Sequence, residues 1–249
     1  MAGSARLREQ LLALVPDAPV WIEARAALLE PTSHLFGDEA GYVIRSDRLR
    51  LAAIGGLASA SLIRAALGDI GAAAGLWAVT MPEWSTAAAT AALSTWVATD
   101  AEILREPAQG LRKTRVDSPT EVRLMAAPES SVLDGLPVAL GRELRGLSAR
   151  TDLAVAWVDG RPVSFCHAAC ETRTLWDVSI NTLAGYRRRG LATATAAFLA
   201  ALMRARGKRA VWGAHRHNVA SLRLAETLGF EPSGRLELFE TEPLEETIR

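Results

Sequence analysis

Cysteine is nearly missing from this chain. Two residues, Cys166 and Cys170, in a length of 249 do not make a disulfide framework, which excludes a small cross-linked scaffold. Such sparse use fits a reducing compartment, and a cytoplasmic protein is the expectation. Net charge is missing as well, because Lys+Arg and Asp+Glu number 28 each. A neutral chain has no general attraction for nucleic acid or an anionic membrane, so any anion site must be local. Long apolar runs are lacking too. Leu57 to Met81 is broken by Arg64 and Asp69, and the apolar segment after Gly190 is too short to span a bilayer. Met1 to Gln10 is polar and charged, without the apolar core of a secretory leader. No repeat of fixed period is visible. Cys166-His167-x-x-Cys170 offers two kinds of metal ligand but no second cluster, so no metal is expected. On a regular strand its two cysteines share one face and His167 takes the other.

What is present is a large apolar fraction, 49%, enough for real cores in one large domain or two modest ones. Residues 1–105 read as mixed α/β. Helices are expected over Ala5 to Val15, Ala58 to Leu67 and Ser85 to Val97. Strands are expected over Tyr42 to Arg45, Leu49 to Ile54 and Leu76 to Thr80, and the glycine-rich Gly68 to Gly75 reads as a loop. Residues 106–121 hold Pro107, Gly110 and Pro119 among charges and read as a linker. Residues 122–249 are clearer. Leu153 to Val158 and Val163 to Cys170 flank Asp159-Gly160, a hairpin signal. Leu175 to Thr182, Ala210 to Ala214 and Arg235 to Glu240 read as further strands. Helices follow over Val138 to Arg145, Ala194 to Met203 and Asn218 to Leu228, the last closed by Gly229.

One segment carries chemistry. Strand Leu175 to Thr182 runs into Tyr186-Arg187-Arg188-Arg189-Gly190-Leu191-Ala192-Thr193 and then into a helix. The first N–H groups of a helix have no intrahelical acceptor, and its dipole favours negative charge. A glycine lets the backbone approach a ligand, and arginines add charge, so a phosphorylated ligand is expected here. A brief positive run without surrounding aromatic residues does not make a nucleic-acid surface.

The order hairpin, strand, Arg-x-x-Gly-x-Ala turn, helix, strand, helix ending in Leu228-Gly229-Phe230 resembles the GCN5-related N-acetyltransferase (GNAT) superfamily. Arg187, Gly190 and Ala192 stand at its signature, and Asn218 to Ser221 match its second hallmark helix. The resemblance covers about Val122 to Glu242 and extends to bacterial members with an added N-terminal domain. It implies a GNAT-like α/β fold with a mixed, partly splayed sheet. The N-terminal domain is then a candidate for a degenerate copy of that fold.

The ligand implied is acetyl-CoA. Arg187, Arg188, Arg189, Gly190, Leu191, Ala192 and Thr193 would cradle its pyrophosphate. The strand residues Ile180, Asn181 and Thr182 would pair with the pantetheine arm, and Asn218 and Ser221 would touch it from the second helix. The reaction implied is acetyl transfer to an amine of a small molecule or protein, with Asp177 as general base and Glu171 as the weaker candidate. Backbone N–H groups near Asn181 to Leu183 would stabilise the oxyanion. Where the family has a tyrosine as general acid this chain has Ala225, leaving His215, His217 and Tyr186 as substitutes. That departure sets an alternative beside catalysis: an acyl-CoA-binding sensor or interaction protein. The family's habits also imply a homodimer.

Overall fold

The computed structural model describes residues 2–74, 76–81, 86–112, 121–125, 130–133, 135–147 and 152–240. Most of the expected linker, residues 113–120, therefore lies outside the described residues. The chain order is α1 (Ala2–Leu14), α2 (Ile22–Leu29), β1 (His34–Gly37), β2 (Gly41–Ser46), β3 (Leu51–Gly56), α3 (Ala60–Ala74), β4 (Trp77–Thr80), α4 (Thr86–Ala92) and β5 (Val97–Arg105). It continues with β6 (Glu121–Met125), α5 (Ser130–Leu133), α6 (Val138–Arg145), β7 (Leu153–Val158), β8 (Arg161–Glu171), β9 (Leu175–Thr182), α7 (Leu191–Ala205), β10 (Arg209–His215), α8 (Val219–Leu228) and β11 (Glu231–Glu240).

All eleven strands join one mixed sheet, in the order β1-β2-β3-β4-β11-β5-β10-β9-β8-β7-β6. Its two halves mirror one another. In the first, β1–β2 and β2–β3 are antiparallel and β3–β4 is parallel. In the second, β7–β8 and β8–β9 are antiparallel and β9–β10 is parallel. A helix links each parallel pair, α3 in one half and α7 in the other. The anchoring bonds match as well: Trp77 N–H donates to the Arg50 carbonyl at 3.1 Å, and Arg209 N–H to the Thr174 carbonyl at 2.8 Å. The GNAT-like sheet is thus present twice. The repeat is one of topology; the two copies share no motif that would show in the sequence.

The halves exchange their last strands. β5 pairs with β10, and β11 pairs with β4. The two exchanged strands then pair with each other from Val97↔Glu240 to Arg105↔Glu231. Glu106 fastens this centre. It is 5% exposed, and its carboxylate accepts from Arg204 Nη1 at 2.5 Å and from the Ala210 N–H at 2.8 Å.

Helix α2 lies against β2 and β3 and also against β8 and β9. In a flat sheet β3 and β9 would stand about 24 Å apart at the usual strand spacing. A helix is only about 10–12 Å wide. The sheet therefore curls around α2, and its concave face forms a core with Leu11, Ile22, Tyr42, Val79, Ile103, Val211 and Leu238. The outer face holds further cores, of which two are large. One gathers Trp176, Leu199, Trp212, Leu228 and Phe230 under α7 and α8, the other Val43, Ile54, Ile63 and Phe239 under α3.

Four elements were absent from the sequence reading: β1, α2, β5 and α5. The helix expected over Ser85 to Val97 ends at Ala92, and α3 runs past Gly68 with a kink there, at φ 38°. The cysteines need a correction. Cys166 packs into the core under α7, Cys170 into the concave core. The register of β8 against β9 shifts between Ala168 and Glu171, and this bulge reverses the alternation.

Phe239 is 1% exposed, in one of the exchanged strands. Phe239→Ala should cost about 3–5 kcal/mol. Urea unfolding followed by tryptophan fluorescence and by circular dichroism should still show one transition for both halves. Two resolved transitions would contradict a sheet welded at its centre.

Candidate active site

The arginine turn is built as the sequence implies. After β9 the chain makes a short helical turn over Ala184–Tyr186, and Arg188 and Gly190 take left-handed conformations, φ 61° and 77°. Gly190 is the N-cap of α7 and supplies no side-chain cap. The first bond closing the helix runs from Ala194 N–H to the Gly190 carbonyl, 3.0 Å. The N–H groups of Leu191, Ala192 and Thr193 precede it and point out of the helix end. Arg187 turns back, its Nε donating to the Thr182 carbonyl at 3.1 Å. Arg189 donates to the Gly185 carbonyl at 3.2 Å and lies over the Tyr186 ring.

The other copy shows what this turn replaces. There α3 begins after a short link, and the Ser59 hydroxyl caps it by accepting the Leu62 N–H at 3.2 Å. One helix end is closed by its own serine; the other is left open by a glycine.

The strands differ in the same sense. β3 and β4 pair from Leu51↔Trp77 to Ile54↔Thr80, and Met81 N–H continues the ladder to the Ile54 carbonyl at 2.9 Å. β9 and β10 pair only from Leu175↔Arg209 to Asp177↔Val211 and then diverge. The Leu183 N–H donates to the Val163 carbonyl at 2.9 Å, toward β8. Alternation then turns the C=O of Val178, the N–H and C=O groups of Ile180, and the N–H of Thr182 toward the gap. This bond also corrects the expected oxyanion donors: the Leu183 N–H is already engaged.

Asp177 sits where the strands part. Counting from the matched anchoring bonds, Ala53 holds its place in the other copy. Burial raises its carboxyl to about 6, and the backbone amides of Gly213 and Val178 draw it partly back. Its Oδ1 is buried without a hydrogen-bond partner. Gly213 faces it; a Cβ there would lie 4.0 Å from that oxygen. Further along the same face, the Glu143 carboxylate of α6 accepts from Ser179 Oγ at 2.7 Å and from Asn181 Nδ2 at 3.3 Å. His167 Nε2 lies 3.5 Å from Glu143.

Glu23, which the sequence reading passed over, comes from the other half. It lies on α2, is 5% exposed, and its Oε2 is buried without a partner. Burial, and then the charge of Asp177, raise its carboxyl to about 8. Only a lone acid among apolar neighbours in Ile22–Leu29 hinted at it.

The remaining candidates fall as follows. Ile180 joins the core under α7, and Thr182 Oγ1 bonds Ser164 Oγ at 2.8 Å. Asn218 caps α8 by accepting the Ser221 N–H, and Ser221 Oγ accepts from Trp212 Nε1 at 2.9 Å. Glu171 is paired with Lys208 Nζ at 2.6 Å. Ala225, on the inner face of α8, is fully buried in the core shared with α7. His215 bonds Thr99 Oγ1 at 3.2 Å and lies 3.5 Å from Glu240; burial holds its imidazole below the usual range. Cys166 and Cys170 are free thiols, kept protonated by burial. Among the described residues no group of acidic, histidine or cysteine side chains suits a metal, and no helix is long and apolar enough to cross a membrane.

A family model, GNAT acetyltransferase, matches residues 154–239, which contain the hairpin, the splayed strand, the open helix end and α8. This domain belongs to the GNAT superfamily. Its GNAT fold is shared at low identity by solved structures along almost the whole chain. A GCN5-related N-acetyltransferase-like protein from Streptococcus suis is 18% identical over 96% of this chain and 99% of its own, with a TM-score of 0.66. A GCN5-related N-acetyltransferase from Kribbella flavida is 14% identical over 99% and 98%, at 0.61. A tandem GNAT protein from the clavulanic acid biosynthesis pathway is 16% identical over 97% of both chains, at 0.54. Comparison with curated proteins finds no match. The GNAT membership points to acyl transfer as the general chemistry.

Glu23 and Asp177 have an unusual consequence for stability. Both carboxyls bind protons more tightly folded than unfolded, so the stability they supply is complete below about 4 and is lost as pH rises toward 8. Glu23→Gln removes the larger part of this loss. Its urea midpoint should match wild type near pH 4 and exceed it at pH 8; an equal difference at both pH values would refute the assignment.

Proposed function

We propose that the C-terminal half transfers an acetyl group from acetyl-CoA to an amine. The observation that carries this reading is the parting of β9 from β10 directly after Asp177, beside an uncapped helix. The copy that lacks the gap has a capped helix and an alanine instead.

In this reading the N–H groups of Arg188 to Ala192 hold the pyrophosphate, as helix N-termini hold anions. Arg187 fixes the turn against β9 through the Thr182 carbonyl. The polar groups of Val178, Ile180 and Thr182 that face the gap pair with the amides of the pantetheine arm, which then stands in for a missing strand. The side chains of Asn218 and Ser221 serve chiefly to cap α8 and hold Trp212.

The acceptor arrives as an ammonium, whose ordinary pKa is about 10.4, and must lose a proton before it can attack. Asp177, held at about 6, is largely ionised at neutral pH and receives that proton on its unpartnered oxygen. Amine attack on the thioester then releases the thiolate, which has an ordinary pKa of about 8.5 and leaves without obligatory protonation. That leaving group makes the alanine at 225 compatible with turnover. Residues 1–105, as the degenerate copy, wall the acceptor side through α2. The alternative, an acyl-CoA-binding protein without turnover, is favoured by one observation: the fully buried Ala225 offers no hydroxyl.

Release of CoA over a panel of amines, followed with a thiol reagent, tests the proposal. Asp177→Asn should lower kcat by about 10²-fold or more. The wild-type rate should fall on the acid side through a pKa of about 6. Saturable acetyl-CoA binding with no turnover on any amine would support the sensor instead. Gly190→Glu places a side chain and a charge in the open helix end, and should abolish acetyl-CoA binding in calorimetry; unchanged binding would sink the cradle.

A further inference from the structure

The N-terminal copy has a capped helix and zipped strands, yet it sends Glu23 toward the site in the C-terminal half. Helix α2 is held between β2 and β3 of its own copy and β8 and β9 of the other. Glu23 leaves it toward Asp177, close enough for the charge on Asp177 to oppose its ionisation. Each of the two carboxyl groups keeps one buried oxygen without a partner, Oε2 in Glu23 and Oδ1 in Asp177.

We propose that Glu23 and Asp177 form one buried acid pair across the two halves that carries a single negative charge: Asp177 ionises and thereby keeps Glu23 protonated. The inference rests on the acetyl-transfer reading for what that base does.

The physical argument is one of charge. Two buried carboxylates without a cation cannot both ionise cheaply, so one keeps its proton. Among the described residues the neighbours supply no compensating cation. On β8, Cys170 is a buried neutral thiol, and Glu171 is paired with Lys208. His167, also on β8, is turned to Glu143. On β2, burial keeps the Tyr42 phenol protonated, and Arg45 points to the other face, donating to the Ala66 carbonyl at 2.7 Å. Arg48, the cation felt by Cys170, is bound to Glu30. On α1, Arg8 is taken up by the carbonyls of Leu28, Glu30 and Ser33, and Arg25 of α2 itself by those of Leu12 and Val15. β3 and the turn Pro19–Trp21 contribute no ionisable side chain, and Asp17 ahead of that turn is a further acid, held by the Thr174 N–H and Oγ1.

The pair then carries a single negative charge, matched to the single positive charge of an incoming ammonium. In the step, the proton passes from the amine nitrogen to the Asp177 carboxylate. The freed lone pair forms the N–C bond, and the C–S electrons leave with the thiolate. Glu23 keeps its proton throughout, and Asp177 returns its own to solvent.

Carboxyl-carbon NMR titration of the full chain tests this without donor or acceptor. Wild type should show two coupled steps, near about 6 and about 8, both belonging to the pair. Asp177→Asn should move the Glu23 step toward lower pH. Glu23→Gln should leave a single step, and Glu23→Asp should restore two. A Glu23 step that ignores Asp177→Asn overturns the proposal, and Asp177→Asn needs no folded Glu23 variant to show it. Coupling with no turnover on any amine overturns the acetyl-transfer reading and leaves the shared proton standing.

Discussion

Strands β5 and β11 are each the last strand of one half and the closing strand of the other. Their antiparallel pairing at the centre of the sheet is what every other feature leans on. It fixes the register of β10, which carries Gly213 to Asp177, and of β4, which seals the other copy. It also sets the curl of the sheet around α2, since the strands on either side of the centre must both reach that helix. The Glu106 carboxylate, nearly fully buried, ties the end of β5 to α7 through Arg204 and to β10 through the Ala210 N–H, both charge-assisted bonds.

On this frame the two copies diverged in a few places, and each difference acts in one direction. A serine cap closes α3 where Gly190 leaves α7 open. A continued ladder seals β3 to β4 where β9 and β10 part. Ala53 is apolar where Asp177 carries a charge. Packing favours the closed version, because an unpaired strand edge and an uncapped helix each leave polar groups without partners. In the proposed reading, the open version persists in the half that would use those groups to hold the acyl donor. The closed copy contributes much of the concave core and carries Glu23.

The C-terminal half was legible because its signals are local. Asp159-Gly160 makes a turn, Arg187 to Thr193 follow a strand and open a helix, and Gly229 ends one. The rest depended on contacts distant in the sequence. β5 alternates only weakly, with Ala101 and Ile103 turned to the core and Asp100 and Glu102 paired to arginines, so its strand character comes from two partners more than a hundred residues away. β1 spans only four residues at the sheet edge, and α2 is short and apolar nearly all round. Cys170 defeated a strict alternation because a bulge cannot be read from side-chain chemistry. Glu23 was invisible as a functional candidate for the same reason as β5: what surrounds it is assembled from the other half.

The exchange of last strands bears on how the chain reaches this structure at all. Thr80 pairs with Glu237, and Ala101 with Leu236, so the middle of the sheet is made of contacts between residues distant in the chain. Such a topology has a high contact order and folds slowly, because long loops must close before the pairing rewards them. During synthesis β4 and β5 emerge with exposed edges and wait for the final strand to be made. The first half is then a partly finished sheet, vulnerable to pairing with another nascent copy of itself, until β11 arrives and claims both edges.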